Sequence, residues 1–391
     1  MLCKPPPARL RWYPAPENRR CAKEVAALRS QGRYEEIRVI RSIALALNCR
    51  LRRNPVLPAS FSTSTYPRAV RLWASLAAMV LLPCAAHADD TLRFAKQESS
   101  LTAYLGEHPL LTYVWQDDAL PRPYFRDVFA LDGERITRSY PPDPVRDKGN
   151  DDHADFHPGI WLAFGDLGDV DFWRLKGRVR HLGFETEPVV ANGGGSFTVR
   201  NRYESLDDPP RVVAEEICRY TIHCDANPPY HGYYLTAKSY FTAPPGTAFG
   251  DQEEMGLGIR LDTPLAVRQG GSIQNDQGGQ DEAGTWGSTA GWCVAEGHIG
   301  NKRVGALLST GPDNFRAAWF HNRDYGLMVA NPFGKKAMTG PDDPAVFPDS
   351  TPIPKEGLTL SFALYLFSEP ASESSAFAKH HEASLEMLTR E

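Results

Sequence analysis

Met255-Gly-Leu-Gly-Ile-Arg-Leu261 alternates apolar with small or charged residues. Met255, Leu257, Ile259 and Leu261 share one face, and Gly256, Gly258 and Arg260 share the other. A period of two is the signature of a strand. Working outward, the same pattern recurs upstream at Leu110–Trp115, Tyr124–Leu131 and Arg135–Tyr140, with Asp132-Gly133 as a turn. It continues at Val179–Thr186, Ser196–Glu204, Val212–His223 and Tyr233–Phe241, then at Val304–Ser309, Ala317–Phe320, Tyr325–Ala330 and Leu358–Phe367. Only Ser372–Leu388 reads as a helix. Short strands with few helices predict an all-β protein, a large antiparallel β-sandwich, with a mutarotase-like supersandwich as one form of it. Three polar loops stand out, at 141–157, 269–291 and 331–357, and the Gly pairs at 270–271 and 278–279 mark the middle one as a candidate flap.

The chain has 391 residues and a net charge of −5. Residues 68–88 combine a basic start, an apolar run and the small-x-small ending Ala86-His87-Ala88, the pattern of a secretory signal peptide. The apolar run is too short to span a membrane, and Pro83 before Cys84 fits a lipoprotein site poorly. Residues 1–67 read as a misassigned or disordered basic extension, with translation expected to start near Val70. A genuine extension, with a helix over 24–47, is the alternative. A single sandwich domain is expected over 89–370, followed by a helical tail at 371–391. Residues 1–88 hold 15 of the 43 Lys and Arg and 4 of the 48 Asp and Glu, so the remainder nets −16. An acidic chain makes a poor nucleic-acid binder. The expected location is exported, periplasmic or extracellular, with no transmembrane segment after the signal. Cys218, Cys224 and Cys293 are an odd set without a zinc spacing, and buried packing is their expected role.

The densest chemistry lies in His153-Ala-Asp-Phe-His157-Pro-Gly-Ile-Trp161, which continues to Asp171-Phe-Trp173. His157-Pro-Gly is a turn, and Ile160, Leu162 and Phe164 then alternate as a strand does. The histidines thus sit on a loop entering a sheet, where a scaffold presents functional groups.

The ordered set Arg122-Pro-Tyr-Phe125, Asp132-Gly, Thr137-Arg138, His157-Pro-Gly-Ile-Trp161, Asp171-Phe-Trp173, Gly250-Asp-Gln-Glu-Glu-Met-Gly-Leu-Gly258, Trp286, Trp292 and Trp319-Phe-His-Asn-Arg-Asp-Tyr-Gly326 resembles an uncharacterised bacterial family. The family is often labelled methane-oxygenase PmoA-like, and the resemblance covers nearly all of residues 95–368. Many members carry His-His-Arg-Gly-Leu-Trp where this chain has Phe156-His-Pro-Gly-Ile-Trp161, so an Arg is lost. The oxygenase label conflicts with physics, because membrane methane oxygenases are bundles of spanning helices. The resemblance implies carbohydrate chemistry, since members look like parts of carbohydrate-use systems.

Three polar clusters are candidates for one site: His153/Asp155/His157, Asp251/Glu253/Glu254 and His321/Arg323/Asp324. Strand parity points Glu253 with Met255, into the sandwich or a cleft, where burial would raise its pKa. Trp319, His321 and Arg323 share parity, and an indole beside polar groups suits a sugar. His157, Glu253 and His321 are the expected catalytic residues. Arg138, Trp161, Trp319, Arg323, Asp324 and Tyr325 are the expected substrate-binding residues. One reading is acid–base chemistry on a sugar or glycoside, of epimerase, lyase or hydrolase type. A second is a metal-dependent lyase or hydrolase with His153, Asp155 and His157 as ligands to a divalent metal. A third is a non-catalytic carbohydrate-binding module. The plain alternatives are a solvated acidic loop for the first cluster, an edge-strand pair of solvated carboxylates for the second, and for the third a core Trp319 with His321 and Arg323 paired to nearby acids.

Overall fold

In the computed structural model the two-residue alternation is realised as long antiparallel ladders. The structure describes residues 91–390 apart from 192, 225–230, 340–349 and 373–375. The signal-like stretch, the basic extension and its expected helix lie outside the described residues. The strands are β1 (Leu92–Lys96), β2 (Ser100–Leu105), β3 (His108–Val114), β4 (Tyr124–Arg126), β5 (Ile160–Phe164), β6 (Gly177–Ala191), β7 (Gly194–Ser205), β8 (Val212–Cys224), β9 (Gly232–Thr242), β10 (Ala248–Phe249), β11 (Met255–Arg260), β12 (Ser272–Asn275), β13 (Trp292–Ile299), β14 (Lys302–Thr310), β15 (Trp319–Phe320), β16 (Leu327–Asn331), β17 (Thr351–Pro352) and β18 (Leu358–Pro370). The α-helices are α1 (Asp281–Thr285), α2 (Lys335–Thr339) and α3 (Phe377–Arg390).

Two eight-stranded sheets form the sandwich. The first runs β1-β2-β3-β4-β5-β11-β16-β15, and the second runs β12-β13-β14-β18-β9-β8-β7-β6. Their inner faces make the main core. Phe125, Ile160, Leu162, Phe164, Met255, Leu257 and Ile259 of the first sheet are buried in one cluster with Phe197, Val199, Tyr220, Ile222, Leu364 and Leu366 of the second. Cys218, Cys224 and Cys293 are free and buried, as expected. No helix among the described residues is long and apolar enough to cross a membrane.

Neither outer face of the sandwich is bare. On the second sheet, Tyr234, Val294, Leu307, Tyr365 and Phe367 pack under Phe377 of α3. There the Tyr234 hydroxyl meets His380 Nδ1 at 2.8 Å. On the first sheet, Val114, Tyr124, Trp161, Ala163, Leu327 and Val329 are covered by Leu120 and Trp173. Loops rather than helices therefore cover this face.

The structure corrects several expected boundaries. The strand expected over Tyr124–Leu131 stops at Arg126, because Asp127 turns the chain through a left-handed conformation, with φ of 51°. Arg135–Tyr140 makes only isolated bridges, Phe129 to Arg135 and Thr137 to Leu261. The 269–291 segment is not a bare flap, since it contains β12 and α1 and is anchored to the 323–324 turn.

A substitution at Gly258 tests this packing. A β-carbon there would lie 2.9 Å from Trp161 Cζ2 and 3.1 Å from Trp173 Cη2. Gly258→Ala is expected to destabilise the protein by about 1–3 kcal/mol, as overpacking of close-fitted cores does. Thermal unfolding reads this as a lowered Tm, and an unchanged Tm would show that the two indoles are not held against the strand.

Candidate functional site

The site is built on the outer face of the first sheet. Strand register aligns Trp161 on β5 with Gly258 on β11 and Val329 on β16. The next chain adds His321, whose backbone N–H donates to Val329 O. A row of small floor residues is thus closed by an indole at one end and an imidazole at the other. The room left by the missing side chain of Gly258 is filled by Trp161 and Trp173.

The 141–157 loop is fixed to this face by buried guanidinium groups. Arg138 Nη1 donates to Asn150 O and Asp152 O at 2.7 Å each, and its Nη2 donates to His157 O at 2.9 Å. Arg260 Nη2 donates to Asn150 Oδ1 at 2.8 Å and to the Asp152 carboxylate. Arg122 joins the next loops in the same way, donating to Phe172 O, Trp173 O and Phe156 O. Burial pushes Arg122 down to about 9 and Arg138 down to about 10, so both remain charged near neutrality. Arg138 was expected to grip substrate. Its position is structural instead, fully buried with its donors turned to loop carbonyls.

Held in this way, the loop places its histidines in a stack of four rings. Tyr325 and His153 lie 5.1 Å apart, His153 and His157 4.8 Å, and His157 and Trp161 5.1 Å, with interplanar angles of 13–23°. His153 reaches this position through a left-handed backbone, with φ of 53°. Parallel rings stacked in this way send their in-plane lone pairs past one another rather than toward one shared ion. Asp155 is exposed nearby, and no group of three or more His, Cys, Asp or Glu among the described residues is arranged to hold a metal ion.

The two buried histidines have indole partners. Trp173 Nε1 donates to His157 Nε2 at 3.2 Å, and Trp286 Nε1 donates to His321 Nδ1 at 3.1 Å. A ring nitrogen that accepts an N–H carries no proton, so the neutral tautomers follow. His157 carries its hydrogen on Nδ1, a buried atom without a partner, and His321 carries its hydrogen on Nε2. Burial, with Arg260, His153, Arg122 and Arg138 around it, holds His157 well below the usual histidine range. Burial, then Arg323 and Arg174, lowers His321 to about 3. His157 is therefore a poor candidate for the proton-transfer role expected of it. It is sealed from solvent, and its one lone pair is already engaged.

His153 is better placed. Its side chain is 36% exposed, and its Nδ1 lies 2.6 Å from Asp152 Oδ2. Partial burial would raise the Asp152 carboxyl, but the bond to His153 and the charge of Arg260 outweigh it and hold Asp152 well below the usual carboxylate range. An anionic Asp152 fixes the His153 hydrogen on Nδ1 and leaves Nε2 a lone pair. This is the role of the carboxylate behind the imidazole of a hydrolytic triad. Neither Asp152 nor this pairing was anticipated from sequence, although two adjacent residues spelled it.

The remaining two clusters meet the same face. β11 begins only at Met255, so Glu253 lies in the preceding turn and does not point into the sandwich. It faces His321 Nδ1 at 3.8 Å and Arg323 Nη2 at 3.5 Å. The more buried carboxylate is Glu254, which pairs with Arg174. Burial raises the pKa of Glu254, and Glu253 and Asp171 add to that rise against the opposing charges of Arg174 and His153. The charge of Glu254 also acts on Tyr325, whose hydroxyl burial pushes up to about 12. His153, Glu253, Glu254, His321, Arg323 and Tyr325 thus converge, joined by Arg174, which the sequence reading missed.

The other expected residues occupy supporting places. Trp161 is buried beneath His157. Asp324 holds α1, its carboxylate accepting Glu282 N–H at 2.9 Å while its own N–H donates to Glu282 Oε2 at 3.0 Å. Arg323 completes that clasp through Glu282 Oε1 at 2.8 Å. Trp319 lies one row along, paired in register with Asn331 and with Arg316 5.7 Å above its ring.

With this geometry in place, comparison with known proteins identifies the chain. It belongs to a family of unknown function, DUF6807, which it matches over residues 100–381. The matched region spans the sandwich from β2 into α3, so the whole site lies within it. The methane-oxygenase label has no counterpart in this match. No curated protein matches the chain.

Two predictions follow from the buried groups. Arg138→Met would leave the Asp152 and His157 carbonyls without their donor, and Asn150 O with Arg260 alone, and is expected to cost about 3 kcal/mol or more in urea unfolding. A loss below about 1 kcal/mol, the scale of an exposed ion pair, would contradict the role given to Arg138. The second concerns pH. A histidine held at a lowered pKa binds its proton more readily when unfolded, so its stabilisation is complete above pH 6.5 and is lost as pH falls toward 3 for His321. His321→Asn keeps an acceptor for Trp286 and should flatten that acid slope. A variant that loses stability as steeply as the parent would show that His321 is not buried neutral.

Proposed function

We propose that this protein is a carbohydrate-active enzyme that moves protons on a bound sugar or glycoside by histidine–carboxylate chemistry. The observation that carries the reading is the half-exposed Asp152–His153 pair facing the same surface as Glu254, a carboxylate with a raised pKa. His153 Nε2 takes a proton from the substrate while Asp152 stabilises the imidazolium that forms. Glu254, protonated more readily than an ordinary glutamate, returns a proton elsewhere on the substrate. His321 Nε2–H, Arg174 and Arg323 offer donors to hydroxyl or carbonyl oxygens, and Tyr325 offers a half-buried ring edge and hydroxyl. Withdrawal of a proton at one point and return at another is the common core of epimerisation and elimination. Hydrolysis requires in addition a water on the far side of the bond. The signal-like stretch at 68–88 supports a periplasmic or extracellular setting for this activity.

A proton NMR time course tests the proposal, with a panel of simple sugars, glycosides and their 3-keto derivatives. Turnover is expected in the presence of EDTA, with His153→Ala and Glu254→Gln each lowering it by about 100-fold or more while the protein stays folded. Turnover abolished by EDTA would transfer the chemistry to a metal. Sugar-dependent line broadening with no turnover on any substrate would make the protein a binding module and overturn the enzymatic reading.

A further inference from the structure

The neighbours of His321 leave its ring a single chemical act. Trp286 Nε1–H donates to His321 Nδ1 at 3.1 Å, so Nδ1 holds the lone pair and Nε2 the hydrogen. A second hydrogen on Nδ1 would stand head to head with the indole N–H. Loss of the Nε2 hydrogen would leave an imidazolate anion. The ring therefore neither takes up a proton nor gives one away near neutrality, and what remains to it is hydrogen-bond donation from Nε2. Glu253 Oε2 lies 3.8 Å from the same Nδ1, beyond hydrogen-bond reach, and does not replace the indole. Nε2 has no acceptor among the described residues, and it is not sealed off as the orphaned His157 Nδ1 is. The indole that imposes this state is itself fixed. Trp286 N–H donates to Glu282 O at 3.0 Å, Gly287 N–H donates to Phe320 O at 2.9 Å, and the Arg323 guanidinium lies 5.6 Å over the indole ring.

We propose that His321 is a neutral electrophile for a substrate carbonyl, that Trp286 is the residue positioning it, and that the substrate is a keto sugar. This role rests on the acid–base reading above and deepens it. A fixed N–H donor is most useful to an oxygen whose negative charge grows during the reaction, and a neutral imidazole is suited to polarising a carbonyl. The base in the same site requires such an oxygen. An imidazole does not take hydrogen from a sugar carbon that bears only hydroxyl groups; it does so beside a carbonyl, where the electron pair passes to oxygen. His153 Nε2 takes the proton from that carbon, the C–H pair becomes the enolate double bond, and the C=O pair moves to the oxygen held by His321 Nε2–H. In epimerisation the pair returns to the carbon, which takes a proton from Glu254. In elimination the substituent on the next carbon leaves with its bonding pair and takes that proton instead. The carbonyl is a ketone rather than a carboxylate, because the arginines beside His321 are already paired. Arg174 meets Asp171 and Glu254, and Arg323 meets Glu282 and Glu253.

Hydrogen–deuterium exchange at carbon, followed by proton NMR in heavy water, tests the proposal on the intact protein with methyl 3-ketoglucoside, methyl glucoside and methyl glucuronoside. Exchange is expected beside the ketone alone. His321→Gln keeps a neutral acceptor for Trp286 and a neutral N–H, and should retain activity within about tenfold, whereas His321→Phe should lose about 100-fold or more. Trp286→Phe should lower kcat at least about tenfold with KM nearly unchanged, while nitrogen spectra show His321 released from its single tautomer. A His321→Gln protein as inactive as His321→Phe, or an unchanged kcat in Trp286→Phe, would overturn the assignment by removing the neutral donor or its positioning residue. Exchange on the glucoside or the glucuronoside as fast as on the ketone would overturn it too, and would leave the acid–base reading standing. No exchange on the ketone would likewise overturn it, while turnover of other sugars dependent on His153 would still support that reading.

Discussion

The site depends on guanidinium groups buried against main-chain carbonyls. A loop that packs on a sheet face leaves polar backbone away from water, and each unpaired group costs free energy. Arg138 resolves this for Asn150, Asp152 and His157 together, and Arg122 does the same for Phe156, Phe172 and Trp173. A guanidinium suits the task because its donors are fixed in a planar fork and its charge is shed with difficulty. The two residues turn irregular segments into a rigid cover without a helix or a strand. Without them, the chain between His153 and Trp161 has no reason to return along the ring stack.

Burial first, and then three nearby positive charges, determine the state of His157. His157 sits among Arg122, Arg138 and Arg260, and a proton on it would add to an unfavourable field in a place without water. Neutrality then leaves each buried imidazole with one lone pair, and an indole N–H satisfies it in both cases. His153 faces Asp152 instead, whose other carboxylate oxygen accepts from Arg260. One carboxylate thus distinguishes two stacked histidines, one sealed against an indole and the other half-exposed against Asp152.

Much of the fold could be read from the sequence, because alternation is a local signal. Met255–Leu261, Val212–His223 and Leu358–Phe367 became strands within a residue or a few of their expected ends. β1, β2, β12 and β13 were missed; all four are strands at or next to a sheet edge, and three of them are short. The three polar clusters were candidates for one site, but neither their convergence nor the roles within them could be read from the sequence. Parity pointed Glu253 into the sandwich or a cleft, and parity holds only where a strand has already begun, which here is at Met255. His157 was expected to be catalytic, whereas it is His153 that is half-exposed and paired with Asp152. Arg138 was read as a ligand group because nothing local shows that a guanidinium will find carbonyls 12–19 residues away.

Long-range proton–nitrogen correlation spectra of the histidine rings near neutral pH test this account most directly. They report which ring nitrogen carries hydrogen. The arrangement requires His157 to be protonated at Nδ1 with Nε2 bare, His153 to carry a hydrogen on the Nδ1 that faces Asp152, and His321 to be neutral and protonated at Nε2. A His157 protonated at Nε2, or charged, would mean that Trp173 does not hold it, and the division of roles between the two stacked histidines would fall.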